Sequence, residues 1–329
     1  MKFPLKLFLS TLMLLTIGAC ANPLQNTDDV PPFATIEQTD SKIFGVFEGI
    51  TPCSNLARPL PQIPQDTDCE QMIWKFTLYQ DASSGTPTTY ELNAAYGVPQ
   101  PNTTGLAGGG TKIEMGGTWK IVKGTGADPD AVVYQLNPGV PEDTVSFAKI
   151  GEDILHVLNK DGTLMVGNAG WSYTINRTDN RPHEYITNAG AGPVAETQLV
   201  IPTMPAGLSV LGVFEGRTPC PEIVFAFTGV PPYDRCIKIK WQLTLYQDDA
   251  GAPAGYLFRG TSTVRQGTWT IVQGTKEDPG AVVYQLRSDE GQVTMSFLKV
   301  GEDHLFLLDE DLNLLVGDAL FSYTLSRTE

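Results

Sequence analysis

Residues 74–79 read Trp-Lys-Phe-Thr-Leu-Tyr, and residues 241–246 read Trp-Gln-Leu-Thr-Leu-Tyr. In the first stretch Trp74, Phe76 and Leu78 share one face by period-two alternation, while Lys75 and Thr77 take the other; Trp241, Leu243 and Leu245 repeat the pattern. Each stretch is therefore a strand with one buried and one wet face. Outward from it the repetition continues. Residues 45–53 read Gly-Val-Phe-Glu-Gly-Ile-Thr-Pro-Cys and residues 212–220 read Gly-Val-Phe-Glu-Gly-Arg-Thr-Pro-Cys. Cys53, Cys69 and Trp74 reappear 167 positions later as Cys220, Cys236 and Trp241, whereas Trp119, Tyr134 and Arg177 reappear 150 later as Trp269, Tyr284 and Arg327. The chain is a tandem duplication whose first copy carries 17 extra residues between Trp74 and Trp119. They fall in residues 85–110, a run of Pro, Thr, Asn and Gly that reads as a long surface loop.

Each unit is far longer than the roughly 20–50 residues of a solenoid repeat and can bury its own core. Further strands are expected at residues 45–48, 89–95, 117–122, 131–136, 144–147, 154–158 and 171–177, with turn signals such as Asn159-Lys160-Asp161-Gly162 between them. No segment has a long helical apolar stripe. About eight short antiparallel strands per copy, joined in sequence, predict an all-β chain of two small barrels in tandem, closure being preferred to a sandwich because it removes exposed edges. The expected boundaries are a leader at 1–19, a tether at 20–41, a first barrel at 42–178, a linker at 179–208 and a second barrel at 209–329.

The leader joins Lys2 and Lys6 to a mostly apolar run at 7–17 and a small pair, Gly18-Ala19, before Cys20. The apolar run is too short to span a bilayer. It resembles a bacterial lipobox, which implies cleavage before Cys20 and acylation there; Ala21 in place of Asp implies the outer membrane, facing the periplasm. Several acyl chains make such an anchor stable. The polar tether that follows, taken as flexible, has an r.m.s. span of about 25 Å. Without Lys2 and Lys6 the chain has 20 basic against 37 acidic residues, a net charge of −17. That surface repels nucleic acid and anionic headgroups, so no nucleic-acid partner is expected and membrane contact falls to the lipid.

Four cysteines remain, and each couple, Cys53 with Cys69 and Cys220 with Cys236, encloses 15 residues. In an exported protein this predicts one disulfide per domain, closing the loop after its first strand. The alternative is a soft-metal site in which paired thiolates hold Cu(I) or Zn. No histidine supplements the thiols in register, since His156 aligns with Phe306, His304 with Ile154, and His183 lies in the linker. Glu48 and Glu215, each between a Phe and a Gly, are candidate ligand-binding residues if they point into the barrels and solvated strand positions if they do not. Asp309-Glu310-Asp311 imitates the start of an EF-hand loop, but Leu314 and Leu320 stand where Gly and Glu are required. Gly-Glu-Asp at 151–153 and 301–303 reads as a hairpin turn. No Ser/His/Asp grouping, zinc motif or phosphate loop is visible, so no catalytic residues and no enzyme activity are expected.

The order Gly-x-Phe-x-Gly, Thr-Pro-Cys, a second Cys, Leu-Thr-Leu-Tyr, Gly-Thr-Trp, a Val-Tyr strand, Gly-Glu-Asp and a closing Tyr-Thr-x-x-Arg resembles the amino-terminal domain of the NlpE family. These are outer-membrane lipoproteins linked to copper resistance and to sensing envelope stress or surface adhesion. The likeness covers residues 43–178 and 211–328. It implies a lipocalin-like barrel for each copy, a protein partner in the envelope or a signalling pathway, and, as an alternative, copper as a ligand of the cysteines. Two features depart from the family: its cysteines stand as Cys-x-x-Cys, and it follows this domain with an OB-like one. The resulting expectation is a tethered binding or sensing module without catalysis, with copper handling or carriage of a small apolar ligand, along Trp74, Phe76 and Leu78, as alternatives.

Overall fold

The strand at residues 74–79 is the middle of β2 (Gln71–Asp81), and it pairs along its length with β1 (Ser41–Pro52). In the computed structural model, residues 41–53, 58–180, 207–220, 238–260 and 264–329 are described. The chain continues through β3 (Pro87–Gly97), β4 (Thr111–Lys123), β5 (Val132–Leu136), β6 (Val145–Gly151), β7 (Ile154–Val157) and β8 (Thr174–Arg177). Every strand is antiparallel to the next and β8 returns to β1, so the sheet closes on itself. The second copy repeats the path with β9 (Ser209–Pro219), β10 (Lys238–Gln247), β11 (Pro253–Arg259), β12 (Val264–Gln273), β13 (Val282–Arg287), β14 (Val293–Val300), β15 (His304–Leu308) and β16 (Thr324–Arg327). The fold is all-β: two closed eight-stranded up-and-down barrels in tandem. Both belong to one compact unit.

Alternation dictates the cores. Trp74, Phe76 and Leu78 point inward and are essentially inaccessible. Phe47 stacks on Phe76 at 5.4 Å and Phe76 on Phe147 at 5.1 Å, with Trp74 edge-on to Phe147 at 6.0 Å. These rings fill the first barrel, which is thus a packed interior and not a chamber. The indoles find partners as buried N–H groups must: Trp74 donates to the Thr51 hydroxyl at 2.9 Å and Trp241 to that of Thr218 at 2.8 Å. Trp119 and Trp269 donate to the carbonyls of Tyr79 and Tyr246, each at 2.7 Å.

The repeated Gly-x-Phe-x-Gly now has a physical reason. Its Phe fills the core, and its second Gly lets the last strand close on the first. A Cβ on Gly216 would stand 2.7 Å from the carbonyl oxygen of Thr324, and one on Gly49 3.1 Å from that of Thr174. An arginine then latches each closure. Arg177 donates to the Phe44 carbonyl at 2.7 Å and pairs with Asp179 at 2.8 Å; Arg327 donates to the carbonyls of Leu211 and, at 3.0 Å, Glu329.

The strand expected at 89–95 is present as β3, which pairs with β4 from Thr89 opposite Thr118 to Tyr96 opposite Thr111, so the long loop expected over 85–110 is corrected to the connection after Gly97. Tyr90, Leu92, Ala94 and Tyr96 alternate into the core, and this apolar period overrides the turn-rich composition. Much of the insertion therefore lengthens a hairpin: β3 and β4 have 11 and 13 residues, against 7 and 10 in β11 and β12.

Candidate functional site

The two copies meet back to back. Leu155 and Val157 face into the first barrel, so His156 faces out; Leu305 and Leu307 do the same in the second, and His304 faces out. Both histidines are nonetheless buried, because the outer side of β7 and β8 lies against that of β15 and β16. Equivalent residues touch each other: Ser172 and Ser322 through hydroxyls 2.7 Å apart, Thr174 and Thr324 at 3.0 Å, and Trp171 and Phe321 as parallel rings 5.2 Å apart. Asn176 accepts from the Gly317 amide at 3.1 Å, and its counterpart Ser326 accepts from that of Gly167 at 3.2 Å. The seam is an approximate two-fold, self-complementary contact made within one chain.

A polar chain crosses it. The Met165 carbonyl accepts from Nε2 of His156 at 2.8 Å and of His304 at 3.1 Å. Nδ1 of His156 then accepts from the Thr174 hydroxyl at 3.0 Å, which leaves Thr324 to donate to Thr174. The imidazoles pack edge to face at 4.6 Å. Burial holds the pKa of His156 well below its usual range, and the neighbouring His304 adds to the effect. Burial lowers His304 as well, opposed by its bond to Met165 and the charge of Asp303. Both rings are neutral structural groups at neutral pH.

At the disulfide end the seam opens into a groove of about 560 Å³, lined by Pro52, Cys53, Asp68, Cys69, Glu70, Pro99, Asn168, Gly170 and Trp171 of the first barrel and Arg217 of the second. The Arg217 guanidinium lies 5.5 Å over the Trp171 ring, and the Lys238 ammonium 5.6 Å over that of Phe321. Lys240 stands directly opposite Arg217 in the β9–β10 register. Arg217 makes no ion pair among the described residues, its Nε is buried without a hydrogen bond, and burial lowers its pKa. Its counterpart in the first copy is Ile50, the sole departure between the nine-residue repeats; Lys238 and Lys240 correspond to Gln71 and Ile73. A guanidinium in place of an aliphatic side chain is the feature that distinguishes this end of the seam.

Cys53 and Cys69 form a disulfide with Cα atoms 5.2 Å apart, bordering the groove. Residues 58–68 of the loop it closes plug the barrel end: Leu60 and Ile63 are buried in the core, Arg58 donates to the carbonyls of Gln65 at 3.1 Å and Thr67 at 2.7 Å, and Gln62 reaches Asp143 at 3.1 Å. Cys220 is also disulfide-bonded. Cys236 and Cys20, with the leader and tether, lie outside the described residues. In this bonded state Cys53 and Cys69 offer no thiolate to copper, and among the described residues no three His, Cys, Asp or Glu converge as a metal site.

The glutamates do not point into the barrels. Phe47 and Phe214 take the inward positions, so Glu48 lies outside against Lys75 at 2.9 Å and Thr178 at 2.9 Å, and Glu215 accepts from Gln242 at 3.0 Å. Asp309 caps a turn through the amides of Asp311 and Asn313, and Gly151–Asp153 and Gly301–Asp303 are the turns before β7 and β15. Trp171, Arg217, Lys238, His156 and His304 were not foreseen as a group. The available signal was the Ile50/Arg217 difference inside an otherwise identical motif. No family model, curated protein or solved structure matches the chain, so its likeness to the NlpE family rests on the motifs alone.

Proposed function

We propose that this chain is a non-catalytic binding module, lipid-anchored through Cys20 and displayed from the outer membrane into the periplasm, in the manner of the NlpE-like lipoproteins it resembles. Its recognition surface is the groove at the disulfide end of the seam. The observation that carries this reading is Arg217: a partly buried cation without an ion pair among the described residues, held over an aromatic ring at the point where the duplicated motif diverges. Two rigid barrels supply a preorganised wall on each side, and the disulfide fixes the loop bordering it. The filled interiors support surface recognition over carriage inside a barrel.

A photo-crosslinking residue at Gln100, beside Pro99 of the groove, is expected to capture a specific envelope component that Arg217→Ile abolishes. The same probe at Lys120, on the outer face of β4, should not. Equal labelling from both positions refutes the assignment. Cys20→Ala should release the protein from the membrane fraction; unchanged fractionation refutes the anchor.

A second reading, carriage of a small apolar molecule, has one observation in its favour. At the rim of the second barrel Val293, Met295, Leu307, Leu312 and Leu315 line a cleft of about 810 Å³. Native mass spectrometry of the gently isolated protein should show a bound lipid-like mass if that reading holds, and none if it does not.

A further inference from the structure

We propose that the groove recognises a dipolar ligand with a free carboxylate and a free ammonium group, such as a short peptide with open ends, an inference that rests on the groove being the recognition surface. Arg217 shares the groove with Asp68 and Glu70, yet it forms an ion pair with neither. The opposite charges belong to different barrels: Arg217 stands near the end of β9, Glu70 directly before β2, and Asp68 in the disulfide-closed loop. A molecule carrying both charges bridges them.

The carboxylate end is specified by Arg217. Its guanidinium is fixed over Trp171, its Nε has no acceptor among the described residues, and Lys240 stands directly across the strand pair from it. Like charges at directly opposed positions destabilise a sheet. A carboxylate seated on the guanidinium supplies the missing acceptor and offsets that repulsion, through the short charge-assisted bonds that a planar fork makes to a planar acid. The ammonium end is specified by Asp68 and Glu70, which flank Cys69 on the facing wall. Pro52, Pro99 and the Trp171 edge provide the apolar surface between the two poles. A volume of about 560 Å³ accommodates two or three residues of peptide and not a folded domain. The first copy has no such device at the corresponding position, because Ile50 replaces the cation.

The test is titration of the intact mature protein with the dipeptide Ala-Ala, its N-acetylated form and its C-terminal amide, followed by backbone NMR shifts and calorimetry. The free dipeptide is expected to bind at least tenfold more tightly than either blocked form and to shift the amides of Gly170, Trp171 and Glu70. Arg217→Ile, which installs the residue of the first copy on an outer face, should weaken the free dipeptide about tenfold and bring it level with the amide. Asp68→Asn with Glu70→Gln should bring it level with the N-acetylated form. Equal binding of the free and N-acetylated dipeptides marks an anion site and overturns the dipolar assignment. Absence of binding by Ala-Ala, with Arg217-dependent crosslinking from Gln100 retained, overturns the ligand class and leaves the recognition surface standing.

Discussion

Acidification should open the seam, and its size can be worked from the two histidines. Both have folded-state pKa values below the unfolded one, so below the ordinary histidine range the unfolded chain binds more protons than the folded one. The stabilisation is complete above that range and is lost as pH falls through it. Each unit below about 6.5 costs about 1.4 kcal/mol for a ring that stays neutral in the fold, so His156 alone accounts for a loss of about 2 kcal/mol between about pH 7 and about pH 5. His304 acts in the same direction through its burial, opposed by its bond to the Met165 carbonyl and by the charge of Asp303. Together they predict at least about 2 kcal/mol of pH-dependent destabilisation, apart from the general titration of the carboxylates. Replacing each ring by the residue of the other copy, His156→Phe with His304→Ile, removes this component and leaves the carboxylates untouched. Urea unfolding of both proteins across this range isolates it as a difference of slopes. If the double variant and the wild type lose the same stability on acidification, the rings are not the neutral buried groups described.

Other perturbations test the fold. Cys53→Ala with Cys69→Ala frees a loop of 15 residues between the sulfurs and should lower the stability of the first barrel by about 3 kcal/mol, read as a shift of the urea midpoint; an unchanged midpoint refutes its role as a staple. Gly216→Ala places a Cβ 2.7 Å from the Thr324 carbonyl and should cost more than about 2 kcal/mol by forcing β9 from β16, with loss of amide-exchange protection along that pair as the readout. Trp74→Phe leaves the buried Thr51 hydroxyl without its donor and opens space beside Phe147, for a loss of about 2–4 kcal/mol in thermal unfolding. A neutral result there means that the core repacks around the smaller ring.

The barrels themselves were legible because one face of each strand meets a core and the other meets water, which writes period two into stretches such as 74–79. The stretch at 85–110 carries two signals: its turn-rich composition reads as a loop, while Tyr90, Leu92, Ala94 and Tyr96 keep the period that marks a strand over 89–95, and the period prevails there. The seam was harder to see because it depends on the outer faces, and a strand pattern does not say what covers its second side. One clue was present. Residues 154–158 and 304–308 are nearly continuous runs of large side chains, as strands covered on both faces are, and both carry a histidine that such a run must satisfy with internal partners. The groove needed the two copies to be brought together in space, since Trp171 and Arg217 meet only across the seam.

Because like residues of the two copies face each other across the seam, one barrel on its own would present a surface that fits its twin. The present chain is in effect a homodimer written into a single polypeptide. Fusion replaces a concentration-dependent association by an intramolecular one with a high effective concentration. It also releases the halves from identity: in a symmetric pair a cation at this rim would occur twice or not at all, whereas here Ile50 and Arg217 coexist, and one molecule keeps a plain end and a charged one.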